Sequence, residues 1–214
     1  QALATSGAND TIICLASDTS GITTVNEILQ ITKHNLRVRG PGYSFQIKAP
    51  DATAPTVEIG VSGVEISGVY IETHTTGSQN AISISSNSSL ITDCWIGYAR
   101  GNGIDISNSS NSRIENCAIE EYGKSGTGDG VKIGNTTTDT VISRSIIADG
   151  VNGISLAGTS IADNIIEDSL VYNNSAYGIS VGSGVLRTVG RRGVTLSKNT
   201  SGNVNNLGTD TYIE

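Results

Sequence analysis

Five times between Asn80 and Ser183 the chain sets a polar and a small residue ahead of an apolar–polar–apolar triplet. The openings are Asn80-Ala81-Ile82-Ser83-Ile84, Asn102-Gly103-Ile104-Asp105-Ile106, Asp129-Gly130-Val131-Lys132-Ile133, Asn152-Gly153-Ile154-Ser155-Leu156 and Tyr177-Gly178-Ile179-Ser180-Val181, Tyr replacing the polar residue in the last. The small residues recur at steps of 22, 27, 23 and 25. Alternation with period 2 predicts a half-buried strand, and self-similarity at about 20–50 residues predicts a solenoid.

A second apolar run recurs in register from repeat to repeat: Ile66, Val69, Ile71; Ile91, Cys94, Ile96; Ile114, Cys117, Ile119; Val141, Arg144, Ile146; Ile165, Asp168, Leu170. Ser, Asn, Thr and Gly fill the gaps and turn the chain tightly. No segment spaces apolar residues for three helical turns, and the L-x-x-L-x-L repeat is missing. The pattern therefore predicts an all-β fold, a right-handed single-stranded parallel β-helix with three short strands per rung. Rungs would stack about 4.8 Å apart.

The chain divides into opening rungs and a cap (1–55), regular rungs (56–183), and an irregular last rung with a C-terminal tail (184–214), all one domain. Before the regular rungs, strands are expected at Thr11–Ala16, Glu27–Ile31, Asn35–Gly40 and Ser44–Lys48, with a loop over Asp51–Pro55. In the last part Arg187, Arg191 and Arg192 form either an anion-gripping loop or a solvated one.

Composition narrows the partners. The formal net charge of −7 opposes nucleic-acid binding and docking on anionic lipid. No apolar run reaches membrane-spanning length, so no membrane insertion is expected. Gln1-Ala2-Leu3-Ala4 lacks the charged and apolar regions of an intact signal peptide. The absence of Met, even at position 1, points to a piece of a longer protein or a mature product. Cys94 and Cys117 hold one place in neighbouring rungs and are expected to stack as buried free thiols. With Cys14 the count is odd, which fits folding in a reducing cytosol, and C-x-x-C metal spacing is absent.

Gly103-Ile104-Asp105-Ile106-Ser107, Arg113-Ile114-Glu115-Asn116-Cys117-Ala118-Ile119, Gly128-Asp129-Gly130-Val131-Lys132-Ile133 and Gly178-Ile179-Ser180-Val181-Gly182-Ser183 resemble the frame of the pectin-lyase-like superfamily of right-handed β-helices. The likeness covers roughly residues 56–183 and includes the polygalacturonases. Their catalytic pattern is not matched. Asn102 stands for the first acid, Asp129 stands alone before Gly130, Tyr177 precedes Gly178 without a histidine, and His34 and His74 lie far upstream. The clustered carboxylates of a pectate-lyase calcium site are also missing. In its uneven Ser/Thr/Asn-rich rungs the chain most resembles bacteriophage tailspike and tail-fibre β-helices. That resemblance implies a homotrimer, a place in the virion (phage tail) or outside the cell, and bacterial surface polysaccharide as partner.

Stacking turns equivalent positions into columns. Asn102, Asp105, Asp129, Lys132, Asn152 and Tyr177 would form a strip able to hydrogen-bond sugar hydroxyls, in which Asp105 and Asp129 are candidates for an acid/base pair. The alternative is an Asp105–Lys132 surface ion pair beside a structural Asn ladder. Glu120 opens the longest insertion, Glu120–Gly128, with Tyr122 and Lys124, and is a third catalytic candidate or part of a solvated loop. Tyr70 and Trp95 form either a sugar platform or a protein contact. Ile142, Ile147, Ile166 and Val171 are read as outward-facing and as a subunit interface. No metal site and no cofactor is expected. The reading is a β-helix of a phage tail spike, tail fibre or adhesin that recognises polysaccharide. A polysaccharide hydrolase or lyase and a structural spacer are the alternatives.

Overall fold

The computed structural model describes residues 6–15, 21–191 and 193–213; Arg192, Ala16 and the first residues of the chain lie outside them. The described residues form short strands and no helix. One coil runs through Ile82–Ile84, Leu90–Thr92 and Trp95–Gly97 before Ile104–Ile106 begins the next. These three strand types build sheet I, sheet II and sheet III, of 8, 9 and 8 strands. Neighbouring strands within each are parallel and in register, as in Ile82↔Ile104↔Val131 and Trp95↔Ala118↔Ile146. The fold is the expected parallel β-solenoid with three strands per coil.

Each coil turns at left-handed residues, which recur at matching positions. Gly63, Ser88, Asn111, Asp139, Asp163 and Arg187 stand between sheets I and II. Gly68, Asp93, Asn116, Arg144 and Asp168 stand between II and III, and Tyr98, Glu121, Asp149, Asn173 and Lys198 follow III. In this region Cβ crowds the backbone, so Gly, Asn and Asp are the inexpensive choices. Ser88, Tyr98, Glu121, Arg144, Arg187 and Lys198 depart from that pattern.

The small residue of each opening has a steric cause. A Cβ on Gly103 would lie 2.5 Å from Ile119 Cγ2, on Gly130 2.3 Å from Ile147 Cγ2, and on Gly153 2.1 Å from Val171 Cγ1. Sheet I enters each coil directly against the inner side chain of sheet III. Only a residue with little or no side chain fits there.

Inside the coil, aliphatic columns run down all three sheets, among them Ile66, Ile91, Ile114, Ile142 and Ile166 on sheet II. Sheet III contributes Ile71, Ile96, Ile119, Ile147 and Val171. This corrects the interface expectation: Ile142, Ile147, Ile166 and Val171 are each 0% exposed and belong to the core. The residues facing outward there are Val141, Ile146, Ile165 and Leu170. A one-residue shift of register exchanges the two faces of a strand. Arg144 and Asp168 are not equivalents of Cys117 but left-handed corner residues aligned with Asn116; Ser145 and Ser169 fill the cysteine column.

Cys94 and Cys117 stack on adjacent coils as buried free thiols, donating to Thr92 O at 3.2 Å and Glu115 O at 3.3 Å. The neighbouring Cys94 thiol first, and then burial, push the Cys117 thiol up. Near the N-terminus the strands are Thr11–Ile13, Leu29–Ile31, Arg37–Arg39 and Phe45–Lys48, and an unanticipated one, Thr23–Asn26, pairs with Phe45–Lys48. Toward the C-terminus Gly202–Asn206 stays in register with Tyr177–Val181, and Tyr212–Ile213 with Val189–Gly190.

Candidate functional site

The expected site residues fall on two separate faces. Asn102, Asp105, Asp129, Lys132, Asn152 and Tyr177 lie on or beside sheet I, whereas Tyr70, Trp95 and Glu120 lie on sheet III. Glu120 is therefore not grouped with the two aspartates. The corner at Glu121 separates the strand that carries it from the strand that carries Asp129.

On sheet I the amides act first on the backbone. Asn80 Oδ1 accepts from Asn102 N at 3.0 Å, Asn102 Oδ1 from Asp129 N at 2.8 Å, and Asn152 Oδ1 from Tyr177 N at 3.1 Å. These are ladder bonds that close the corner into each opening. Asp105 accepts from Asn102 Nδ2 at 2.9 Å, Ser107 Oγ at 2.8 Å and Lys132 Nζ at 3.1 Å. Asp129 accepts from Asn152 Nδ2 at 2.8 Å. Burial pushes its carboxyl above the usual range, opposed by hydrogen bonds from Asn152 and Ser155 and by the Lys132 charge. The strip is a hydrogen-bonded polar network containing one carboxyl that burial pushes above its usual range.

Sheet III carries an aromatic cluster. Trp95, the single tryptophan of the chain, stacks on Tyr70 with centroids 4.2 Å apart and planes 25° from parallel. Tyr43 and Tyr98 stand against it edgewise at 5.4 and 6.5 Å. Trp95 Nε1 donates to Glu120 Oε2 at 3.2 Å. Tyr70 Oη donates to Glu72 Oε2 at 2.8 Å, and Glu72 also pairs with Lys48 at 2.5 Å. Burial first, and then Glu72, pushes the Tyr70 hydroxyl up. The indole lies over Gly97, where a Cβ would meet both the Trp95 and Tyr70 rings at 3.4 Å.

The cluster opens onto a groove of about 330 Å³ at the corner after sheet III, lined by Glu72, Thr73, Thr75, Tyr98, Arg100, Glu121 and Lys124. Tyr98 and Glu121 are both left-handed, at φ 52° and 54°. The Glu121 carboxylate beside Tyr98 holds that phenol above its ordinary range, and Glu121 pairs with Lys124 at 3.2 Å. Bulky left-handed residues are strained, and two on adjacent coils beside a groove mark a place where side-chain chemistry outweighs local backbone preference. Sequence reasoning missed Tyr43, Glu72, Tyr98 and Arg100. The available signal was Tyr98, an aromatic in a corner column suited to Gly, Asn or Asp.

Of the arginines after Gly184, Arg187 is engaged by Asp163 through two 2.7 Å bonds, Arg191 is exposed, and Arg192 lies outside the described residues. Among the described residues no group of three or more His, Cys, Asp or Glu could hold a metal, and no helix is long and apolar enough to cross a membrane.

A family model described as right handed beta helix region matches residues 56–214. A comparison with curated proteins finds no match. Among solved structures, a pectate lyase is similar at 14% identity and TM-score 0.56, over 97% of this chain and 72% of its own. A Geobacillus virus protein is similar at 12% identity and TM-score 0.57, over 88% of this chain and 52% of its own, so this chain spans about half of it. The A-module of an Azotobacter vinelandii mannuronan C-5 epimerase is similar at 11% identity and TM-score 0.53, over 94% of this chain and 68% of its own. At these identities the likeness is one of fold.

Proposed function

Since this chain belongs to the right-handed β-helix family, we propose that it is the receptor-binding shaft of a phage tail spike, tail fibre or adhesin and recognises bacterial surface polysaccharide. The observation that carries this reading is the half-exposed Trp95 platform on sheet III. There an indole braced from one side by Tyr70 leads into a polar groove. Sugar rings present C–H faces that stack on aromatics, and their hydroxyls seek carboxylate and guanidinium partners; the cluster offers both. Glu72, Glu120, Glu121, Arg100 and Lys124 are the groups placed to meet those hydroxyls. The virus protein among the structural neighbours, together with the pectate lyase and the mannuronan C-5 epimerase module, supports a virion or extracellular setting and a glycan partner. A homotrimer remains part of the reading, with the outward Val141, Ile165 and Val189 of sheet II rather than the core residues against a partner.

The test is co-sedimentation with purified bacterial exopolysaccharides. Wild type is expected to sediment with a cognate polymer and Trp95→Ala to bind at least tenfold more weakly. Equal binding by Trp95→Ala would remove the platform from the reading.

One observation favours cleavage as a second reading: burial pushes the Asp129 carboxyl above its usual range beside the Lys132–Asp105 ion pair. A carboxyl with a raised pKa is suited to general acid work. Reducing ends or unsaturated products that appear with wild type and vanish in Asp129→Asn would support it. Unchanged turnover in that variant would exclude the role.

A further inference from the structure

The outward column of sheet III reads Tyr70, Trp95, Ala118, Ile146, Leu170 in strict register. Tyr70 covers one face of the indole, and because the two stack along the solenoid axis, the opposite face looks toward the next coil. That coil supplies the methyl of Ala118 directly opposite and, two residues along the same strand, the Glu120 carboxylate at the indole's Nε1 edge. The coil beyond supplies Ile146, which is 40% exposed. Two coils span about 9.5 Å, and a saturated ring in van der Waals contact on both sides needs about 7–8 Å. The column is thus interrupted by a notch one ring thick, with indole above, an aliphatic side chain below and a methyl as its floor.

The adjoining column sets the polar chemistry. Glu120, on the same strand as Ala118, accepts from Trp95 Nε1 at 3.2 Å through Oε2. Among the described residues it takes part in no ion pair, unlike Glu72 and Glu121 with Lys48 and Lys124. An unneutralised carboxylate at the rim accepts from hydroxyl groups and repels an anion.

We infer that the notch between Trp95 and Ile146 over Ala118 is a subsite for one neutral pyranose ring, with Glu120 as its hydroxyl acceptor and its selector against acidic sugars. This rests on the reading of sheet III as the glycan face and adds the class of sugar that the face takes. Ala118 is the specificity-determining position, since a larger outward side chain there fills the notch without entering the core.

The test uses the full chain and the emission of its single tryptophan, titrated to 50 mM with maltotriose, cellotriose and mannotriose as neutral probes and with trigalacturonate as the acidic probe. At least one neutral trisaccharide is expected to shift the emission saturably, with trigalacturonate at least fivefold weaker. Ala118→Phe is expected to weaken the neutral probe at least tenfold with an unchanged circular dichroism spectrum. Glu120→Gln is expected to narrow the gap between neutral and acidic probes to less than twofold. No saturable shift with any neutral probe, or neutral binding left intact by Ala118→Phe, overturns the subsite; so does an unchanged neutral-to-acidic ratio in Glu120→Gln. Loss of polysaccharide co-sedimentation in Trp95→Ala together with full retention in Ala118→Phe would sink the notch and leave the broader reading standing.

Discussion

Val141 and Ile142 are adjacent aliphatics, and the structure assigns them opposite fates: Val141 half-buried and outward, Ile142 wholly inside the coil. Truncating each to alanine measures that assignment. Ile142→Ala removes a fully buried side chain flanked by Ile114 and Ile166 in its own column, which costs about 2–5 kcal/mol in transfer and cavity terms. Val141→Ala removes two methyl groups from a surface that remains partly wet, and at about 25 cal/mol per Å² of apolar area costs under about 1 kcal/mol. In a chain of this size 1 kcal/mol shifts the midpoint by about 2–4 °C. Calorimetric melting should therefore place Ile142→Ala about 4–20 °C below wild type and Val141→Ala within about 4 °C of it. The reverse order, with Val141→Ala the more damaging, would refute the register of sheet II and with it the outward columns of the account.

Among the described residues Thr188 Oγ1 is buried without a hydrogen-bond partner, so Thr188→Val should raise stability by about 1 kcal/mol in thermal melts; a loss would show that the hydroxyl is satisfied after all. Gly153→Ala drives a Cβ to 2.1 Å from Val171 Cγ1 and 2.5 Å from Gly178 O. Overpacking there should cost about 1–3 kcal/mol, and an unchanged midpoint would contradict the close approach of sheets I and III. Asp129 holds its proton more tightly folded than unfolded. It thus lowers stability as pH rises from the ordinary aspartate value through its raised one, and has no effect below both. Asp129→Asn should then gain more in midpoint at pH 7 than at pH 3, and an equal difference at the two pH values would count against it.

How much of this was legible depended on local ambiguity. Sheet I could be read directly, because Gly103-Ile104-Asp105-Ile106 and its copies alternate cleanly and allow one register. Sheets II and III could be read only as far as Ile119. Beyond it positions 141 and 142, 146 and 147, and 165 and 166 are all aliphatic, so period 2 fits both faces equally. The deciding signal was weaker. Gly68, Asp93 and Asn116 are natural left-handed residues, and Arg144 continues their column with a side chain that gives no such hint. The split of Glu120 from Asp105 and Asp129 was hidden for a related reason. A corner that begins at left-handed Glu121 and runs to Gly128 moves the chain to another face, and nothing in a glutamate announces a corner. The Trp95 cluster was half legible: Tyr70 and Trp95 share a repeat position, whereas Tyr43 reaches the indole from a preceding coil and Tyr98 from the corner after it.

The most direct measurement is the accessibility of Trp95 to acrylamide, with and without a saturating bacterial polysaccharide that the chain co-sediments with. Recognition on sheet III requires the bound polymer to shield the indole, cutting the quenching constant at least twofold. An unchanged quenching constant with polymer demonstrably bound would place recognition on another face of the solenoid and contradict the account.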